Sequence, residues 1–487
     1  MTFHSTNRKP KEGTRYEILN VPEKMKCTRT SLSGLKRNCK ENQGGVLSMK
    51  EKVEKTINKT NGALSIEKNV KELHDSMKMQ EAFAFVKEDA EHTLEQQLKL
   101  VKIPSPSNHE EEKAKYFKEL MEAEGCSAEM DDVWNVFTRI KGTGEGPTVC
   151  ITAHTDTVFP LGTPLEITEK DGRYTCPGIG DDTRGLAEIL SILRTIKKCG
   201  LKPKGDIIIG SNVCEEGLGD LKGTRNFFKN HAKDVDGFIS IDGIGSVVIY
   251  GGTGSLRYRV TFRGPGGHSY GSFGLVNPIF AMGRAINNIS EIRTPLSPKT
   301  TFCVGVVEGG MSVNSIASEC SMLVDLRSDG KNELDELNQK FQACIKKAVE
   351  DENNRWTEER KVKQGGMGWC FDRNARITVE LELLGNRPVG NQPIDCPIVQ
   401  AAADACNVMG TAPEYMPNGS TDANIPISLG IPAISVNGGG KSAGMHSTKE
   451  WFEPKDSYIG VQRNLLTLFA LTGLDKVSEP MLAKRKR

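Results

Sequence analysis

The sequence predicts an α/β protein in which a mixed, largely parallel sheet flanked by helices is interrupted by a smaller α+β insert. Three observations carry that expectation. Short apolar runs alternate with helical ones from about residue 78 to 250; the order then becomes strand, helix, strand, strand, helix, strand up to about 390; and helix and strand text returns after Pro388. The 487 residues also exceed one comfortable hydrophobic core, so two folded domains plus an appendage are expected.

Taken in order, Ala82, Phe83, Phe85, Val86, Leu94, Leu98 and Leu100 are spaced for one buried helical face, which Pro104 and Pro106 end. A second helix is expected from about Asn108 to Glu124, with Ser107 or Asn108 as N-cap and Gly125 as the stop. Val149 to Thr152 reads as a buried strand, Thr183 to Cys199 as a helix ended by Gly200, and Asp206 to Asn212 as a strand. Thr224 to Asn230 follows as a helix and Gly237 to Ile241 as a strand. In the insert, strands are expected at Leu256–Phe262, Thr301–Val307, Cys320–Leu326 and Ile377–Leu383, with helices at Asn277–Ile289 and Glu333–Asp351. That is the split βαβ, ferredoxin-like order of a small independent domain.

Composition excludes several classes. Lys and Arg total 64 against 63 Asp and Glu, so no global field favours nucleic acid or a membrane surface. Apolar runs fall far short of the ~20 residues a spanning helix needs, and no membrane span is expected. Thirteen scattered cysteines, without a Cys-x-x-Cys pair, fit a reducing compartment and remove the usual thiolate zinc signature. A cytoplasmic location is expected. The first 50 residues carry eleven Lys and Arg against four Glu and no apolar periodicity, so residues 1–77 read as a disordered basic extension that leaves organelle import open. Residues 78–250 and 391–476 would form the larger domain, 251–390 the insert, and 477–487 a basic tail.

Chemistry gathers at expected strand ends. His154 and Asp156 stand two apart after a buried strand; Asp181 and Asp182 precede a helix; Glu215 and Glu216 follow the next strand; and Asp242 closes another. The ordinary alternatives are a satisfied histidine at a strand end for His154 and a helix N-terminal acid for Asp181 and Asp182. One Asp at the helix start is easily explained that way, two less so. Adjacent acids such as Glu215 and Glu216 repel unless a cation sits beside them. Of the eight histidines, only His154, His268 and His446 lie in glycine-rich or strand-end contexts. Two histidines with three or four carboxylates suit zinc, with manganese or cobalt as alternatives. A shared carboxylate would hold two ions ~3.5–4 Å apart.

The series His-x-Asp, Gly-x-x-Asp-Asp, Glu-Glu, Asp-Gly and a late Gly-x-His resembles the di-zinc metallopeptidase superfamily of peptidase T, carboxypeptidase G, aminoacylase and acetylornithine deacetylase. The match runs from about residue 80 to 475. Gly-Pro-Gly-Gly-His-Ser-Tyr-Gly around His268, Gly-Ser-Thr-Asp-Ala-Asn from Gly419 and Asn-Arg-Pro-Val-Gly from Asn386 resemble its peptidase T-like branch. The resemblance implies that His154, Asp181 and Asp242 bind one zinc and Asp181, Glu216 and His446 a second, with Asp181 bridging. It makes Asp156 the outer partner of His154 and Glu215 the general base for a water activated between the ions. It also implies a homodimer through the insert, which would then serve as a lid, with His268 reaching a twin's site to stabilise the oxyanion. Asn314 and Arg387 match substrate-contacting positions, against the alternatives of a turn-forming Asn and a surface Arg. Asp325 and Arg327 read as a structural strand pair. Thr183 departs from the Lys that the family often has there.

The expected function is thus metal-dependent cleavage of an amide bond in a small peptide, as in a di- or tripeptide aminopeptidase. An N-acyl amino acid deacylase and an inactive metal-binding scaffold are the competing readings. Gly251 to Gly254 leads into a strand and not a helix, which argues against a dinucleotide site, and nothing suggests a Ser, His, Asp triad.

Overall fold

The computed structural model describes residues 66–356 and 374–486. An eight-stranded sheet runs in the order Glu129–Met130, Val136–Ile140, Ile207–Asn212, Val149–His154, Gly237–Ile244, Ala433–Gly438, Val247–Ile249, Glu414–Met416. Its four central strands are parallel, with Ile151 between Ile209 and Ile239. Alternation divides the strand side chains between two covered faces. Val149, Ile151 and Ala153 pack with helices Thr183–Lys198 and Tyr458–Thr472, whereas Cys150, Ile208 and Phe238 meet Phe227 and Phe228 of helix Lys222–His231. All six residues of Val149–His154 and of Ile207–Asn212 are therefore buried, which leaves the strand ends as the place where polar groups emerge.

The insert has its own core. Strands Thr300–Gly309, Glu319–Ser328, Gly254–Arg263 and Thr378–Arg387 form an antiparallel sheet in that order. One face carries Val260, Phe262, Met322 and Val324 against Phe341 and Ile345 of helix Lys331–Asn353 and Ala281 and Ala285 of helix Pro278–Ser290. The other face is half open, as the alternating burial of Glu319–Ser328 records. Two smaller antiparallel sheets join Lys441–Ala443, Trp451–Glu453, Arg173–Thr175 and Thr168–Lys170, and pair Gly267–His268 with Ser315–Ile316.

Several boundaries differ from expectation. The extension does not run to residue 77: positions 66–75 are helical, with Val70 and Leu73 buried in the main core. Residues 1–65 lie outside the described part, and the reading of that stretch with them. The first amphipathic segment is two helices, Met77–Glu88 and Ala90–Leu100, broken at Asp89, whose carboxylate receives the buried Arg194 guanidinium. The second helix starts later, at Glu111, and Ser107 turns away from the helix to the site. The C-terminal tail packs rather than trailing: Leu482 is buried and the Arg485 amide donates to Asp236. No helix among the described residues is long and apolar enough to cross a membrane.

Candidate metal centre

Neighbouring parallel strands deliver most of the site. His154 ends its strand and Asp242 lies near the end of the adjoining Gly237–Ile244, while Glu215 and Glu216 follow Ile207–Asn212 on the other side. Asp181 and Asp182 come from the loop before helix Thr183–Lys198 and divide the two explanations between them. Asp182 caps the helix, accepting from the Gly185 amide at 3.1 Å, and also accepts from the His154 amide at 3.1 Å. Asp181 faces the histidines: Oδ1 lies 3.1 Å from His154 Nε2 and Oδ2 lies 3.0 Å from His446 Nε2. Glu216 Oε1 is 3.0 Å from the same His446 nitrogen, and Asp242 Oδ1 is 4.0 Å from His154 Nε2. Ligands of a tetrahedral zinc, with bonds of ~2.0–2.2 Å, sit roughly 3.3 Å apart, so these spacings fit two ions sharing Asp181. His446 is held at φ +61°, in the loop between strands Lys441–Ala443 and Trp451–Glu453.

The electrostatics fit cations as well. Burial raises the pKa of Glu216, and burial with the Asp181 charge pushes Asp242 up to about 7. Asp181, though buried, is held below the usual carboxylate range by hydrogen bonds to both imidazoles. Hydrogen bonding to Asp181 raises His446 to about 9, and for His154 the Asp156 and Asp181 contacts outweigh the burial that opposes its charge. Carboxylates crowded this closely favour positive charge among them.

Asp156 does more than flank His154. Its carboxylate lies 3.5 Å from His154 Nδ1, whose nearer contact is the Asp156 carbonyl at 3.0 Å. The same carboxylate accepts the Glu215 and Glu216 amides at 2.9 and 3.0 Å, which fixes the acidic loop. Glu215 is buried, and its Oε1 accepts from Arg387 Nη1 at 3.2 Å. Arg387 is thus no surface residue: it is 3% exposed and also donates to the Glu215 carbonyl and to Ser420. His268 and Asn314 lie on the Gly267–His268 ribbon and its partner loop, joined by Ser269 N to Asn314 O, and neither lines the cavity over the carboxylates.

That cavity, about 410 Å³, is lined by Asp181, Glu215, Glu216, Asp242 and His446 together with Arg257, Arg327 and Arg387. Arg257 and Arg327 both contact Asp325, at 3.4 and 2.6 Å, so the expected strand pair exists and also faces the site. Sequence reasoning passed over Arg257 and Glu450. Glu450 is fully buried, accepts from the amides of Gly178, Gly180 and Asp181, and is raised to about 7 by burial. Nothing around it in the sequence marks it.

Residues 150–469 match the model of peptidase family M20/M25/M40. The chain belongs to that family. It is a hydrolytic enzyme, a metallopeptidase or amidohydrolase, and the scaffold reading falls away. Among relatives, a succinyl-diaminopimelate desuccinylase from Alkalilimnicola ehrlichii is 24% identical over 349 residues, covering 66% of this chain and 85% of that protein. Solved structures share the fold. A Staphylococcus aureus tripeptidase superposes with a TM-score of 0.62 at 21% identity, over 78% of this chain and 97% of its own. A Bacillus subtilis dinuclear metal-binding peptidase of the family gives 0.55 at 14%, over 79% and 99%.

Proposed function

We propose that this family member hydrolyses an amide bond of a small peptide bearing a free carboxylate, as a di- or tripeptide aminopeptidase, with Glu215 as general base. One observation carries the reading: a buried carboxylate, Glu215, lines the same cavity as the histidine-facing acids and is steadied by a guanidinium instead of an imidazole. His154, Asp181 and Asp242 would hold one ion and Asp181, Glu216 and His446 the other; zinc suits this donor set, with manganese or cobalt as alternatives. Bound there, the pair would supply Lewis acidity and make a nearby water easier to deprotonate. Glu215 would take a proton from the attacking water and return it to the leaving amine. Burial raises the Glu215 carboxyl well above its ordinary range, with Arg387 opposing and the Asp242 charge adding to the shift.

Arg387 is engaged by Glu215 and Ser420, so a grip on the substrate carboxylate falls to Arg257 and Arg327, which line the same cavity. The cavity volume is of the size that small ligands fill. His268 and Asn314 enter the reading only through a second copy. The outer strand Thr300–Gly309, with exposed Val306 and Val307, and the exposed Ile279 and Phe280 offer an edge for pairing two inserts, and a cytoplasmic homodimer is part of the proposal.

A second reading, an N-acyl amino acid deacylase, is favoured by the desuccinylase relative. A panel of free-amine dipeptides, tripeptides and N-acetyl amino acids separates the two. In the same assay Glu215→Gln should retain bound metal and lose ~10²–10⁴-fold in kcat. Undiminished turnover by that variant would end the general-base assignment.

A further inference from the structure

Behind the site, the turn before helix Glu111–Ala123 fastens two active-site loops together. Ser105 Oγ donates to the Thr155 carbonyl at 2.9 Å, and the Thr157 amide returns to the Ser105 carbonyl at 2.9 Å. Ser107 Oγ lies 2.6 Å from Asp156 Oδ2 and 3.2 Å from the Glu216 carbonyl, so one hydroxyl spans both loops. Three residues on, Glu110 is fully buried and its Oε1 accepts from the Cys214 amide at 3.0 Å and from Cys214 Sγ at 3.2 Å.

Cys214 is the residue immediately before Glu215 and sits at φ +60°, a left-handed conformation that costs a side-chain-bearing residue ~1 kcal/mol or more unless the surroundings enforce it. Glu110 enforces it, and Asp156 holds the next two amides. Lys113, one helical turn further and 1% exposed, places a buried ammonium in the field of Asp156, Glu110 and Asp182. Glu110 Oε2 has no hydrogen-bond partner among the described residues.

We propose that Ser107 and Glu110 are positioning residues for the hydrolysis: together they set the distance between the His154–Asp156 strand end and the Cys214–Glu216 loop, and through it the placement of the Glu215 carboxylate. The assignment rests on Glu215 as general base. A general base must lie within hydrogen-bond reach of the proton it takes, so a loop displaced by even an ångström loses rate without losing its ligands.

The test is a kinetic cycle on the full chain, with the panel substrate that the wild type cleaves fastest. Ser107→Ala should lower kcat on the order of tenfold while KM and bound metal stay unchanged, and Ser107→Thr should restore it. In a Glu215→Gln background, Ser107→Ala should cost nothing further, because the group it positions is gone. Glu110→Met should follow Ser107→Ala, and Glu110→Gln, which keeps an acceptor for Cys214, should stay near wild type. Equal losses in both backgrounds, or a lowered Tm with unchanged kcat, would reduce Ser107 to a structural role and overturn the inference. Activity surviving in Glu215→Gln alone would instead remove the general-base reading beneath it.

Discussion

In the eight-stranded sheet both faces are covered, so Val149–His154 and Ile207–Asn212 are buried throughout and chemistry emerges where the strands stop. In the four-stranded sheet one face rests on two helices and the other stays half open, so Arg257, Asp325 and Arg327 project from within the strands themselves. The difference teaches how charge is kept in each. Behind and at the end of the parallel sheet, charge is buried and must be paired or shared with a cation. Along the open face of the antiparallel sheet it is partly wet, its stakes in stability are small, and it is free to meet a ligand. Only at the strand end does Arg387 turn inward, buried and paired with Glu215.

The sharpest way to break this contrast is at the shared carboxylate. Asp181→Asn removes the charge that faces both histidines and should cost at least ~10³-fold in kcat/KM together with bound metal, checked by metal content and initial rates. If the variant keeps both its metal and its rate, the strand ends do not form the centre described.

A second, smaller effect concerns stability and pH. Burial lowers Lys113 from the ordinary 10.5 to about 8. Between those values the unfolded chain binds more protons than the folded one, so wild-type stability should rise as pH climbs from 8 to 10.5, by up to about 3 kcal/mol. Lys113→Met should flatten that slope in urea denaturation. A slope as steep as wild type would place the titrating charge elsewhere.

The smallest effect belongs to the open face. Arg327→Ala and Arg257→Ala should each raise KM about tenfold, ~1.4 kcal/mol, for peptides with a free terminal carboxylate and leave metal content and fold intact. Amidated peptides should be indifferent to both changes. An equal loss on amidated substrates would show that these guanidiniums support the fold rather than read the ligand.

Much of this is legible in the sequence. The helix Thr183–Lys198 and the strands Ile207–Asn212 and Gly237–Ile244 lie within a few residues of where periodicity places them, because each carries its pattern locally. Short strands such as Glu129–Met130 and Glu414–Met416 are not legible in the sequence, since two or three residues carry no period. Ser107 was read as an N-cap because a serine before an amphipathic run usually is one; only the packed turn sends its hydroxyl to Asp156. Arg387 was balanced between surface and ligand contact, and the fold buries it beside Glu215 in the wall of the cavity.

By itself, the sequence determined the residue types and their order: histidines and acids gathered at strand ends, before a helix and in a glycine-rich loop, in a chemistry that suits divalent ions. Tertiary structure decided which acid faces which nitrogen, that Asp182 caps while Asp181 is shared, and that Glu450, Glu110 and Ser107 hold the loops from behind. The physical reason is range. Propensity and periodicity act over a few neighbours, whereas a hydrogen bond across hundreds of residues exists only once burial has brought its two ends together.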